Sequence, residues 1–157
     1  MARPTGDSDQ FGMELDAQLC FDLYAASRAI TNAYRPLLHE LRLTYPQYLV
    51  MLVLWERERA TVGELGDALQ LDSGTLSPLL KRLKAAGLVA RERRAEDERS
   101  VEAVLTVEGR ALQAKAERVP PAIGAAMGLK AAELAGLKQM LRQLVHNVST
   151  SELARPG

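Results

Sequence analysis

One cysteine, two histidines and four tyrosines are the side chains of this sequence that could serve as nucleophile, metal ligand or phenolic donor. Cys20 is the sole thiol, so it cannot close an internal disulfide. His39 and His146 lie far from it in sequence and offer no metal-ligand spacing. Leu19, Leu23, Ile30, Leu37 and Leu41 recur at helical spacing, which predicts a first helix over 15–41 with Pro36 bending it. Cys20 then falls on the shoulder of the apolar stripe, with Tyr24 one turn further on. A helical cysteine is ordinarily a small hydrophobe. Reactivity needs a stabilised thiolate, and no Lys or Arg stands within four residues. The donors on offer are the hydroxyls of Tyr24, Tyr34, Tyr45 and Tyr48. From these residues alone, core filler and reactive thiol both remain open readings of Cys20.

A second chemical cluster lies in Leu71–Leu88. Asp72 or Ser73 can cap a helix there, and Gly87 can end it in the left-handed region. Leu76, Leu79, Leu80 and Leu83 line one face. The other face carries Ser73, Thr75, Ser77, Lys81, Arg82 and Lys84, with Gly74 and Pro78 among them. Hydroxyls first and cations after suit a helix entering a major groove end-on, where base edges and then phosphates are met. The same face also fits an ordinary solvated helix.

The flanking elements decide between these. Thr44 and Gln47 match a capping box for a second helix to about Arg57, apolar nearly all round and so buried, with Trp55 in the core. Thr61 and Glu64 match another for a short helix, Val62–Leu69. Short helix, tight turn and basic helix make a helix-turn-helix. Val89–Arg94 and Val101–Leu105 alternate as two strands around a polar tip, which is a wing. From Lys81 to Arg99 seven basic residues (81, 82, 84, 91, 93, 94, 99) face four acidic (92, 96, 97, 98), a local excess of three in a chain of net charge zero. Any pull on nucleic acid must come from that patch, so DNA contact is expected through the helix face and through Arg91, Arg93, Arg94 and Arg99.

Thr106 caps a fifth helix, Val107–Val119, interrupted by Pro120-Pro121, and Ala131–Val148 form the last, with Leu134, Leu137, Leu141, Leu144 and Val148 on one face. Such terminal helices leave apolar surface unless a second chain covers it. The expected fold is mainly α, an α+β winged helix with six helices and a two-stranded β-wing. Residues 14–148 make one domain, with 61–106 the winged helix-turn-helix and 14–42 and 107–148 the dimerisation region. Residues 1–13 and 149–157 read as tails. No apolar run is long enough to cross a bilayer and no signal-peptide pattern opens the chain, so a cytoplasmic, reducing setting is expected.

The order of helices, the wing with Asp97-Glu98-Arg99 and the Leu105-Thr106-x-x-Gly109 after it resemble the MarR family of dimeric winged helix-turn-helix repressors. Residues Leu19–Glu56, with Cys20, Tyr24, Tyr34 and Tyr45, and the stretch DSGTLSPLLKRL resemble its organic hydroperoxide resistance regulator branch, in the one-cysteine type. The resemblance implies a peroxide-sensing repressor and no enzyme. Cys20 matches the reactive cysteine, and Tyr34 and Tyr45 match the tyrosines that hydrogen-bond its thiolate from the other subunit. Tyr24 joins them as a lesser contact. Tyr34 is fourteen residues beyond Cys20, about 21 Å along a helix, so it cannot reach Cys20 within its own chain along that helix. Operator DNA with an inverted repeat, a homodimer partner, an organic hydroperoxide and a low-molecular-weight thiol are the implied partners; no cofactor, metal or membrane is implied. Three other readings are a repressor answering to a small-molecule effector with Cys20 structural, a thiol peroxidase, and a helical dimer with no DNA function.

Overall fold

The computed structural model describes residues 12–94 and 97–151, with only the backbone for residues 94 and 97–100. A 3-10 turn, Leu15–Ala17, precedes α1, Leu19–Leu41. The first helix is therefore shorter than the 15–41 expected. Gln18 is extended (φ −95°, ψ 96°) and separates turn from helix. Cys20 consequently stands in the first turn, where backbone N–H groups have no intrahelical partner. Helix α1 runs on through Pro36 to Leu41.

Thr44 caps α2, Tyr45–Arg57, with the reciprocal bonds of a capping box: Gln47 N–H to Thr44 Oγ1 at 3.4 Å and Thr44 N–H to Gln47 Oε1 at 2.8 Å. Val50, Met51 and Leu54 are fully buried, as an all-round apolar helix requires, whereas Leu52 stays 40% exposed. Trp55 is only half-buried, at the edge of the core and not inside it. Thr61 and Glu64 form the second capping box, at the start of α3, Val62–Leu69. Helix α4, Ser73–Ala85, is capped by Asp72, whose carboxylate accepts the Thr75 N–H at 2.8 Å. It ends before Gly87, at φ 75°. Leu65, Leu76, Leu80 and Leu83 are buried together with Leu38, Leu41 and Val89, so the helix-turn-helix shares one core with α1 and α2.

The wing strands are β2, Val89–Arg94, and β3, Asp97–Leu105, paired antiparallel from Val89↔Leu105 with a register shift between Arg93 and Arg94. They are not a two-stranded ribbon. A short β1, Arg59–Thr61, pairs with β3 through Ala60↔Ala103 and makes a three-stranded sheet in the order β1-β3-β2. Three residues between two helices carry too little alternation to announce a strand. The same pairing explains why Glu102, on β3, is buried: Arg59 on β1 reaches its carboxylate at 3.5 Å.

Helix α5, Val107–Ala116, is capped by Thr106. The expected Val107–Val119 helix stops three residues early, and Val119–Met127 form a separate helix, α6. Pro120 and Pro121 fall in its first turn, where a missing N–H costs nothing. Helix α7 covers Ala131–Thr150. The chain divides into two compact units, one through Pro121 and one from Ala122. In the second, Leu137, Met140, Leu141, Val145 and Val148 of α7 are all more than a third exposed. The expected tail 1–13 lies largely, and 149–157 mostly, outside the described residues.

Gly109 is the glycine whose Cβ position lies closest to other backbone among the described residues of the first unit. A Cβ there would collide with the Leu88 carbonyl oxygen and lie 3.0 Å from Leu105 Cδ2. Backbone cannot yield as a flexible side chain would. Gly109→Ala should therefore destabilise by about 1–3 kcal/mol, read as a lower urea midpoint. Gly63→Ala, which meets only the Thr61 hydroxyl at 3.9 Å, should not. Equal midpoints for the two variants would refute the close approach.

Candidate functional site

Three of the four tyrosines gather at one place. Tyr34, late on α1, and Tyr45, first on α2, bring ring centroids to 4.7 Å. Tyr48, one turn further along α2, stands 5.8 Å from Tyr34 and packs edge-on against Trp55 at 6.2 Å. The Thr44 cap sets the start of α2 and so sets Tyr45 against α1. Burial, then the neighbouring Tyr45 and Tyr48, push the Tyr34 hydroxyl above its ordinary range. Burial and Tyr45 do the same to Tyr48. Both phenols therefore keep their protons at neutral pH and can act as donors. Beside Tyr45 opens a cavity of about 330 Å³ lined by Thr31, Asn32, Arg35, Leu38, His39, Leu43 and Thr44.

Cys20 lies elsewhere in the same chain. It is exposed, in the first turn of α1. Tyr24 is 60% exposed one turn on, with the Arg28 guanidinium 5.5 Å from its ring centroid. Helix α1 is unbroken between Cys20 and Tyr34, so their separation is about 21 Å along its axis. The fold thus assembles Tyr34 with Tyr45 and leaves Cys20 with Tyr24 at the far end of the helix. Tyr48 and Trp55 complete the aromatic group. The sequence offered a signal for Tyr48, a tyrosine three residues from Tyr45, but none for its packing on Trp55.

The second cluster is the outer face of α4. Ser73, Gly74, Thr75, Ser77, Pro78, Lys81, Arg82 and Lys84 are all exposed, while the four leucines opposite are buried. Two of the hydroxyls are already engaged: Thr75 Oγ1 donates to Asp72 at 2.9 Å and Ser77 Oγ to the Ser73 carbonyl at 2.8 Å. Those bonds must rotate away before either hydroxyl can donate to a base. The two Thr75 bonds, backbone first, hold the Asp72 carboxyl below its ordinary range. Its capping is present above that range and is lost as pH falls through the lowered value. Arg91 and Arg93 are exposed on β2. Arg94 pairs with Asp97 in backbone register. The side chains of Arg94, Asp97 and Arg99, and with them the expected wing-tip contact, lie outside the described residues. Among the described residues no group of His, Cys, Asp and Glu could hold a metal, and no helix is long and apolar enough to cross a membrane.

Residues 32–116, more than half the chain, match the family described as transcriptional regulator SarA/Rot. An organic hydroperoxide resistance transcriptional regulator from Bacillus subtilis strain 168 is 51% identical over 128 residues, 82% of this chain and 85% of that one. Among solved structures, reduced AbfR bound to DNA, a protein of Staphylococcus epidermidis, matches with a TM-score of 0.72 and 38% identity over 87% of this chain and 95% of its own. AbfR has also been solved overoxidized on DNA and in a disulfide form. A MarR variant from E. coli in complex with operator DNA matches with a TM-score of 0.74 and 26% identity, over 80% of this chain and 92% of its own. With 51% identity to one regulator over 128 aligned residues that span most of both chains, and with this helix order and wing, the chain belongs to the MarR family of winged helix-turn-helix regulators, in its organic hydroperoxide resistance regulator branch.

Proposed function

We propose that the protein is a homodimeric, peroxide-sensing repressor of the cytoplasm, that Cys20 is its sensor, and that it is not an enzyme. One observation carries the sensor reading. The lone exposed thiol and the Tyr34–Tyr45 pair sit at opposite ends of one unbroken helix. A second copy lying antiparallel would bring the phenols of one chain to the thiol of the other. Leu19 and Phe21 of α1 in the first unit and, separately, the exposed apolar residues of α7 in the second each offer surface that a second copy would cover. Tyr34 and Tyr45 then donate to the Cys20 thiolate, with Tyr24 alongside.

The thiolate sulfur attacks one peroxide oxygen of an organic hydroperoxide. The O–O bond breaks, the terminal OH passes to sulfur so that Cys20 becomes the sulfenic acid, and the alkoxide takes a proton from water and leaves as the alcohol. No second cysteine exists to trap it. A low-molecular-weight thiol can condense with it, forming an S–S bond and releasing water; closure on a backbone nitrogen and over-oxidation are the other outlets. AbfR is found on DNA when overoxidized, which favours the bulkier mixed disulfide as the releasing form. The altered interface then moves the two reading heads out of register, the operator is released, and a peroxide-detoxification gene is derepressed.

Each head presents the outer face of α4 to a major groove and its wing to the flanking minor groove, with Arg99 entering and Asp97 holding it. A two-fold dimer reads an inverted repeat with half-sites about 10 bp apart. Arg99→Ala should weaken specific binding by about 1–3 kcal/mol, and Lys81→Ala should weaken binding evenly across sequences and flatten its salt dependence. Wild-type affinity in Arg99→Ala at physiological salt would rule out the wing contact. The decisive measurement is a mobility shift on the chain's own upstream DNA. The complex is expected without, and lost with, an organic hydroperoxide plus a small thiol. A complex indifferent to hydroperoxide would leave a regulator with some other effector.

A further inference from the structure

We propose that Trp55 is the positioning residue that couples the sensor tyrosines to the reading head, through its indole N–H bond to the Gly109 carbonyl. This rests on the sensor reading above and adds its route. The rings form a ladder: Tyr45 on Tyr34 at 4.7 Å, Tyr34 on Tyr48 at 5.8 Å, Tyr48 on Trp55 at 6.2 Å. At its end, Trp55 Nε1 donates to Gly109 O at 2.8 Å. Gly109 is tied in turn to the end of the recognition helix. Its N–H donates to Thr106 Oγ1 at 3.0 Å, and that hydroxyl donates to the carbonyl of Gly87 at 2.7 Å. The Thr106 N–H reaches the Leu88 carbonyl at 3.2 Å. Gly87 and Leu88 are the junction between α4 and the wing.

Two features set this chain of contacts apart from ordinary packing. Trp55 is half-buried while Val50, Met51 and Leu54 fill the interior of α2, so its indole is placed by a polar bond at the edge of the core. Gly109 has no slack, because even a Cβ would strike the Leu88 carbonyl. A shift of Tyr34 or Tyr45 when Cys20 is oxidised must displace Tyr48, which is 2% exposed and has no room to absorb it. Trp55 then drags Gly109 through that bond, and the displaced carbonyl shifts the α4–wing junction.

Trp55 is the sole tryptophan, so its emission reads the ladder directly. The reduced dimer on operator DNA is titrated with tert-butyl hydroperoxide in the presence of a small thiol. The emission should change over the same doses that release DNA, and Cys20→Ser should show neither change. In Trp55→Phe, which keeps a ring and removes the donor, Cys20 should be oxidised at the wild-type rate by sulfenate trapping. Operator affinity of the reduced form should stay within about twofold. The affinity lost on oxidation should shrink about fivefold, the worth of one hydrogen bond. A merely structural tryptophan would move stability and leave that difference intact. Release of DNA with silent emission, or a full oxidative loss of affinity in Trp55→Phe, overturns the coupling while Cys20→Ser stays inert. Release of Cys20→Ser at the wild-type dose overturns the sensor reading and the coupling with it.

Discussion

Cys20→Ser is expected to bind operator DNA as the wild type does and to remain bound at every hydroperoxide dose that releases the wild type. The substitution is cheap for the fold. Cys20 is exposed, and a surface change of one atom costs within about 0.5 kcal/mol. Its chemical effect is total, because a serine hydroxyl is not oxidised and the chain holds no other thiol to take its place. Methionine oxidation is slower and is the one residual route. Mobility shifts across a hydroperoxide series, with mass spectrometry of the wild type to identify the Cys20 product, measure both halves. Release of Cys20→Ser at the wild-type dose would place the sensor on another residue.

The Tyr34→Phe, Tyr45→Phe double variant should react with organic hydroperoxide far more slowly and still fold and bind DNA. Each change removes a hydroxyl and keeps a ring, so the 4.7 Å contact and its neighbours persist. What goes is a hydrogen bond to an ionised sulfur, worth about 1.5–3 kcal/mol. At about 1.4 kcal/mol per factor of ten, each substitution should slow alkylation and oxidation of Cys20 at neutral pH by roughly ten- to a hundredfold. The two rings touch, so the effects should not simply multiply. Tyr24→Phe should do less, since that ring is exposed beside Arg28. Iodoacetamide reaction rates of the reduced dimers test this without DNA. Wild-type rates in the double variant would remove the phenols from the activation of Cys20.

Much of the reading head is legible in the chain because its signals are local. A cap, a helical period and a stop glycine are written within a few residues of one another, so α4, Ser73–Ala85, starts on the Asp72 cap and ends just before Gly87 as expected. The two capping boxes at Thr44 and Thr61 hold for the same reason. Apolar period alone carries α1 back to Leu15, four residues before its start at Leu19, because it does not see the extended Gln18. β1 has no signal of its own in the sequence, because three residues gain strand character only by pairing with β3. The break between α5 and α6 falls before Val119 and not at Pro120-Pro121, because a Pro pair marks a break without saying on which side the next helix begins.

Cys20 and its tyrosines divide the same way. By itself the sequence determined that there is one thiol, that it sits near the start of a long helix, and that no cation lies beside it to stabilise a thiolate. It also determined that Tyr34 is too far along that helix to serve its own Cys20. Only the tertiary structure decided that Tyr34, Tyr45 and Tyr48 share one cluster, because that depends on how α2 folds back on α1. It alone set Trp55 on the carbonyl of Gly109, fifty-four residues away. Spacing fixes which side chains share a face of one element; which faces meet is fixed by packing between elements, and that is a property of the whole core.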